Sequence, residues 1–347
     1  MRAVLFDDVG HIRVGEYPDP VVIDPGDAVV RVSTAAVCGS DLHLLHGRVP
    51  GVREGSVLGH EFVGTVEAVG EAVRGFSAGD RVVGSFLIAC GSCWFCARRD
   101  FNLCEDIRAL GYGIFTGDLD GCQAEAVRVP VADVNLHHVP GALTDDQAVF
   151  AGDILTTAVY VCERARIEPG DAVAVVGAGP VGLLTAMSAR AHEPSEVFVV
   201  DLAPDRLQIA ASLGATPIDA SAVNPVVELQ RRTGGRGPDV VIECVGSLKA
   251  FDTATDAVRA GGTVAVIGVY TELSHEIAFG ELWRRGITIV MGATANVQAH
   301  WDRALALVAG GTIDPTVLIS HTLPLEQAVK GYELFDSREA LKVILKP

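Results

Sequence analysis

Positive charge is scarce in this sequence. Lysine and arginine together number 27 against 44 aspartates and glutamates, giving a net charge of −17 at pH 7. Such a surface repels polyanions, which disfavours nucleic acid and anionic membrane, and neither is expected as a partner. A dinucleotide is not excluded, because its sites rely on local backbone amides rather than on net charge. No targeting segment is expected either. Met1-Arg2-Ala3-Val4-Leu5-Phe6 runs directly into Asp7 and Asp8 with no apolar signal core, so the expectation is a soluble, cytoplasmic protein. Only residues 172–189 form an uncharged run near membrane-spanning length, and Gly177, Gly179, Pro180 and Gly182 interrupt it. Internal repeats and low-complexity segments are absent. Charged residues make up 20% and hydrophobic residues 49%, the balance of a folded chain rather than a disordered one. At 347 residues the chain exceeds one ordinary core, and two domains are expected.

The eight cysteines do not read as a disulfide framework in a chain of this length without a secretory signal. Cys90, Cys93, Cys96 and Cys104 follow a C-x2-C-x2-C-x7-C spacing. Four thiolates so spaced can close a tetrahedral Zn²⁺ site with no vacancy, a structural staple for a lobe around residues 88–106. A four-cysteine iron–sulfur cluster is the competing reading, and zinc is preferred because the rest of the chain has a zinc-enzyme pattern. Cys122, Cys162 and Cys244 read as small buried hydrophobes.

Cys38-Gly39-Ser40-Asp41-Leu42-His43 and Gly59-His60-Glu61 concentrate a thiolate, imidazoles, carboxylates and a hydroxyl in one short segment. Those groups can hold a Zn²⁺ with an open position and carry a proton away from it. Around them the chain alternates short strands and glycine turns, as at Ala28–Val32, Phe62–Val69 and Arg81–Val83, the pattern of a barrel-like β domain. From about residue 144 the pattern becomes helical. Asp153 stands among apolar neighbours there, as a helix cap or a metal ligand. Beyond it strands and helices alternate, which predicts a doubly wound parallel sheet.

Gly177-Ala178-Gly179-Pro180-Val181-Gly182 follows the strand Ala172–Val176 and opens a helix. Gly177 suits the tight turn, Gly179 the approach of a pyrophosphate and Gly182 close helix–strand packing. Asp201 ends the next strand, where a carboxylate accepts from the ribose hydroxyls of NAD and repels the extra phosphate of NADP. Arg206, one turn on, can reach a ribose or a phosphate. Val245, Ile267 and Val269 complete the expected cofactor contacts.

Taken together, these motifs and the terminal Lys342-Val343-Ile344-Leu345 resemble the zinc-dependent medium-chain alcohol dehydrogenase family along the whole chain. The resemblance implies an α/β protein: a GroES-like β-barrel catalytic domain over residues 1–152 and 291–347, interrupted by a Rossmann NAD-binding domain over residues 153–290. It assigns Cys38, His60 and Asp153 as ligands of a catalytic zinc, with Glu61 as an auxiliary ligand and Asp41 orienting His60. Many members carry cysteine where this chain has Asp153, which leaves the ligand charge unchanged and supplies a harder donor. On this resemblance zinc would supply Lewis acidity to an alcohol oxygen, Ser40 would take the alcohol proton and pass it through the nicotinamide ribose hydroxyl to a solvent-facing His43, and NAD would accept the hydride. Thr157 is expected to touch the nicotinamide, and Lys342 the pyrophosphate. Phe86, Ile88 and Phe115 are candidates for an apolar substrate pocket or for plain core.

The expected activity is reversible oxidation of a small alcohol to an aldehyde or ketone, in a homo-oligomer, tetramer before dimer. Two alternatives are an aldehyde dismutase that retains its NAD(H), suggested by the stretch 123–130, and a zinc- and NAD(H)-binding sensor without catalysis. The short chain argues against the first and the Ser40–His43 pair against the second.

Overall fold

The change of periodicity near residue 150 corresponds to a change of architecture. The computed structural model describes residues 1–113, 116–270, 272, 274–292 and 294–347. Met1–Thr156 and Asn296–Pro347 form one compact unit, and Thr157–Ala295 form another. These divides lie a few residues beyond the expected 152/153 and 290/291. The first turn of the helix Ile154–Ala165 stays with the first unit, where the Thr156 hydroxyl donates to the Asp153 carbonyl at 2.6 Å.

The first unit is built on a seven-stranded sheet. Its path runs His321–Pro324, Val343–Lys346, Ala28–Val37, Glu61–Val69, Arg81–Gly84, Leu136–His138, and Ala126–Val129 also pairs with Ala28–Val37. Valines and alanines dominate the central strand Ala28–Val37, as a β-branched, mostly buried strand requires. Its core gathers Val30, Val32, Phe62, Val66, Leu110, Tyr332 and Leu345. Each such side chain contributes about 1.5–3 kcal/mol of burial.

The register of this sheet assembles the site. Ala36 pairs with Glu61 and Val37 with Val343, both antiparallel. Cys38, the next residue along, therefore emerges between the strand beginning at Glu61 and the strand preceded by Lys342. The chain then turns into the short helix Gly39–Leu45, whose first turn is tied down by the Asp41 carboxylate accepting from the Cys38 amide at 3.0 Å. Ser40 and His43 are three apart on it and share a face.

The second unit is a six-stranded parallel sheet in the order Thr216–Asp219, Glu196–Asp201, Ala172–Val176, Val240–Glu243, Thr263–Val266, Thr288–Met291. Every pairing is parallel. In chain order that is 3-2-1-4-5-6, the doubly wound arrangement whose ligand crevice lies outside the carboxyl ends of the strands where the order reverses. The uncharged run at 172–189 is the buried strand Ala172–Val176 followed by the helix Pro180–Arg190. Among the described residues no helix is long and apolar enough to cross a membrane.

Candidate active site

Cys38, His60, Glu61 and Asp153 each offer one donor atom, and the four atoms lie within 4.8 Å of one another. The Cys38 Sγ is 3.6 Å from Asp153 Oδ2, and His60 Nε2 is 3.5 Å from the same oxygen. Donors placed tetrahedrally on zinc at its usual bond lengths stand about 3.3–3.8 Å apart, so the three match a common centre. The electrostatics agree. Burial pushes the Cys38 thiol up, and the neighbouring Asp153 and Glu61 push it further. Burial also raises the Glu61 carboxyl to about 7 although Lys342 pulls it down. Burial alone would lower the His60 imidazole, but Asp41 and Asp153 hold it well above its ordinary range. Acidic donors crowded out of water in this way are the charge that a divalent cation answers.

The second layer is legible in the hydrogen bonds. Asp41 is fully buried, and its Oδ1 stands 3.2 Å from His60 Nδ1, the ring nitrogen turned away from the ligand cluster. The Gln123 amide donates to Asp41 Oδ2 at 3.2 Å and to the Ala36 carbonyl at 3.1 Å. The Tyr332 hydroxyl donates in turn to Gln123 Oε1 at 2.7 Å. Gln123 and Tyr332 were not among the sequence candidates. A glutamine set between Cys122 and Ala124 in a strand-like stretch was the available signal.

Ser40 Oγ lies 3.2 Å from His60 Nε2 and so borders the ligand cluster. His43 differs from the expectation of a solvent-facing residue. It is half-buried, its Nδ1 is covered and has no hydrogen-bond partner among the described residues, and burial, then Arg48 and His46, lower its pKa. His46, given no role, pairs with Asp336 at 3.0 Å on the surface. Lys342, expected on the pyrophosphate, faces a carboxylate here. It is 1% exposed, and its ammonium sits 2.5 Å from Glu61 Oε2. The sheet register explains this, because it sets Lys342 beside Cys38 and Glu61. Phe86 flanks the His60 ring at 6.0 Å between centroids, and Tyr112, absent from the sequence candidates, does so at 6.3 Å. Ile88 belongs to the packed core, and Phe115 lies outside the described residues.

The second cysteine cluster is compact. Cys90 Sγ and Cys96 Sγ are 4.0 Å apart, and Cys93 Sγ and Cys104 Sγ 3.9 Å. Sulfurs around a single zinc stand about 3.8 Å apart, whereas a four-iron cluster, with each sulfur on a different iron, spreads them wider. Backbone amides of Cys96 and Glu105 pull the Cys93 thiol below its usual range, which favours the thiolate a metal needs. Of the remaining cysteines, Cys122 and Cys162 are fully buried, while Cys244 is only partly so, at the end of the strand Val240–Glu243.

In the second unit, Gly177 has φ +106°, and a Cβ on Gly182 would lie 1.9 Å from the Gly177 carbonyl oxygen. Both positions therefore require glycine. Gly179 caps the helix, with Pro180 and then Val181 in its first turn. Asp201 Oδ2 accepts from the Ala178 amide at 2.5 Å and Oδ1 from Leu202 and Ala203. That places the carboxylate over the turn, and Arg206 leans towards Gly179. Val245 and Val269 are 52% and 53% exposed at the carboxyl end of the sheet. Ile267, expected beside them, is 7% exposed and packs towards Gly292. Thr157 is buried in the helix Ile154–Ala165.

A closed four-thiolate site, a second metal cluster bordered by a hydroxyl and a doubly wound unit define a zinc-binding dehydrogenase. The comparisons agree. Residues 24–141 match the family model of the alcohol dehydrogenase GroES-like domain, and residues 180–310 match that of the zinc-binding dehydrogenase domain. A Mycobacterium tuberculosis protein named "probable zinc-binding alcohol dehydrogenase" is 40% identical, covering 100% of this chain and 89% of the relative. The structure of alcohol dehydrogenase TADH from Thermus sp. ATN1 superposes with a TM-score of 0.97 at 47% identity, covering 100% of this chain and 99% of that one. A Sinorhizobium meliloti protein whose structure holds NADP gives a TM-score of 0.88 at 31% identity, with 100% and 99% covered. The chain belongs to the zinc-dependent alcohol dehydrogenases of the medium-chain dehydrogenase/reductase family.

Proposed function

We propose that this chain oxidises a small alcohol to an aldehyde or ketone, reversibly, with NAD as the hydride acceptor and one catalytic and one structural zinc. The cluster of Cys38, His60 and Asp153, with Ser40 at its border, carries the reading. Zinc held there would supply Lewis acidity to an alcohol oxygen, and bound NAD would take the hydride. The chain's own groups handle the proton. Ser40 Oγ accepts it from the alcohol oxygen while giving its own hydrogen onward, its contact with His60 Nε2 having been released when that nitrogen turns to the metal. His43, with its pKa lowered by burial, is neutral through the neutral range and receives the proton for release to water. Asp41 holds the His60 ring so that Nε2 faces the metal position. Glu61, balanced by Lys342, provides a reserve carboxylate beside the ligands. Phe86 and Tyr112 give the substrate an apolar border.

The choice of NAD over NADP rests on Asp201, since a carboxylate at the end of the second strand accepts from the ribose hydroxyls of NAD and would repel the extra phosphate of NADP. We also propose a cytoplasmic homo-oligomer, a tetramer. Its support is an edge strand, Thr288–Met291, and the helix Phe279–Arg285 before it, which expose Met291 at 61%, Phe279 at 71% and Trp283 at 78%. A screen of primary, secondary, aromatic and polyol alcohols with NAD and with NADP, read by absorbance of the reduced cofactor, tests the function. Turnover with NAD is expected, and a clear preference for NADP overturns the reading of Asp201. Light scattering on the eluted protein tests the assembly.

A further inference from the structure

We propose that Glu243 and Tyr270 are positioning residues that lock together the two loops receiving the nicotinamide half of the cofactor, an inference that rests on the dinucleotide reading above. Glu243 is fully buried at the carboxyl end of the strand Val240–Glu243. Its Oε1 accepts from the amides of Val245 at 2.6 Å and Gly246 at 2.8 Å, which shapes the loop leaving its own strand. Its Oε2 accepts from the Tyr270 hydroxyl at 3.0 Å, and Tyr270 stands in the loop leaving the next strand, Thr263–Val266. The Glu243 carbonyl takes the Ile267 amide at 2.9 Å as well. One residue thus holds both loops, through its side chain and its main chain.

The loops meet backbone to backbone. A Cβ on Gly246 would lie 2.2 Å from the Val269 oxygen, and one on Gly268 would lie 2.1 Å from the Gly246 nitrogen. What they present outward is apolar, since Val245 and Val269 are the half-exposed residues of the pair. Val245 also reaches to 2.8 Å from where a Cβ on Gly177 would be, so the paired loops border the pyrophosphate turn. In the 3-2-1-4-5-6 order, strands one to three serve one mononucleotide and the later strands the other. The loops tied by Glu243 follow the fourth and fifth strands, on the nicotinamide side. A flat ring held against two valines keeps its orientation only if the valines keep their spacing, and the hydrogen bonds of Glu243 tie the two loops that carry them.

The test separates the two halves of the cofactor. Kd is measured for NADH and for ADP on the zinc-loaded protein and its Tyr270→Phe variant. Losing a hydrogen bond to a buried carboxylate is expected to weaken NADH about tenfold while ADP, bound at the Gly177–Gly182 turn, stays within about twofold. An unchanged NADH affinity overturns the proposal. So does an equal loss for NADH and ADP, which would mark a general loosening of the domain. Should Tyr270→Phe fail to fold, Glu243→Gln decides. It keeps an acceptor for the two amides, so about a threefold loss confined to NADH is expected, and no loss or a shared loss overturns the idea. If the wild type prefers NADPH, the choice of NAD falls, and NADPH against 2′,5′-ADP decides the loop lock by the same comparison.

Discussion

The buried chain Tyr332–Gln123–Asp41–His60 is open to a direct energetic test. Tyr332 is 1% exposed, Gln123 and Asp41 are fully buried, and His60 is 3% exposed, so water cannot replace any bond that is lost. Tyr332→Phe removes one hydroxyl and leaves Gln123 Oε1 without the donor that stands 2.7 Å away. An unsatisfied buried acceptor costs about 1–3 kcal/mol. For a unit of this size each kcal/mol lowers Tm by about 2–4 °C, so a drop of about 2–12 °C is expected. The effect on the metal should grade with position. Asp41→Ala removes the direct partner of His60 and should cost about 10–100-fold in zinc affinity, as loss of such outer partners does. Gln123→Leu, one bond further out, should cost less, and Tyr332→Phe should leave zinc affinity within about threefold. Melting curves and competition with a fluorescent chelator read the two effects separately. A Tyr332→Phe protein that melts with the wild type, or one that loses zinc as readily as Asp41→Ala, refutes this ordering.

Lys342→Met strands Glu61 in a site with no exposed surface, and breaking such a pair costs about 3–5 kcal/mol unless the carboxyl neutralises. Urea unfolding should show a loss of that order, and the double variant with Glu61→Gln should recover most of it; a double variant as unstable as the single one contradicts the pairing. His43→Ala should slow turnover by about 100-fold or more near neutral pH and regain rate with added imidazole. Because His43 titrates below its ordinary value, the acid limb of the wild-type kcat/KM profile should fall below about pH 6.5 and vanish in the variant; an unaltered profile removes His43 from the proton path. Cys93→Ala should lower the zinc content from two per chain to one and make residues around 88–106 protease-sensitive, while Cys38→Ala should abolish turnover with melting little changed. Metal analysis and limited proteolysis distinguish these outcomes.

How far the sequence alone reached depends on whether a signal was local. The glycine turn, the four-cysteine spacing and the Cys38–His43 segment are each confined to a few consecutive residues whose backbone demands are visible in residue type, as with Gly177 at φ +106°. The alternation of strands and helices gave the doubly wound sheet for a similar reason, since each strand is a continuous apolar run. The pairing of Lys342 with Glu61 is not legible in the sequence because it is set by sheet register. No composition rule says that Val37 faces Val343 and Ala36 faces Glu61, and that pairing alone turns the lysine onto a carboxylate. His43 was expected in solvent because a helix of seven residues gives too few turns to show which face is covered. Gln123, Tyr332, Glu243 and Tyr270 were missed on the same physical ground. Each acts through buried hydrogen bonds that the fold, not the local sequence, brings into place. A buried polar side chain looks in sequence like any polar residue at a strand end. What separates it from a surface residue is the cost of leaving it unpaired, about 1–3 kcal/mol, and that cost exists only once the fold has removed the water. The residues that hold a metal ligand or a loop in place are therefore the last to be legible in a sequence, although their substitution is measurable by melting temperature or ligand affinity.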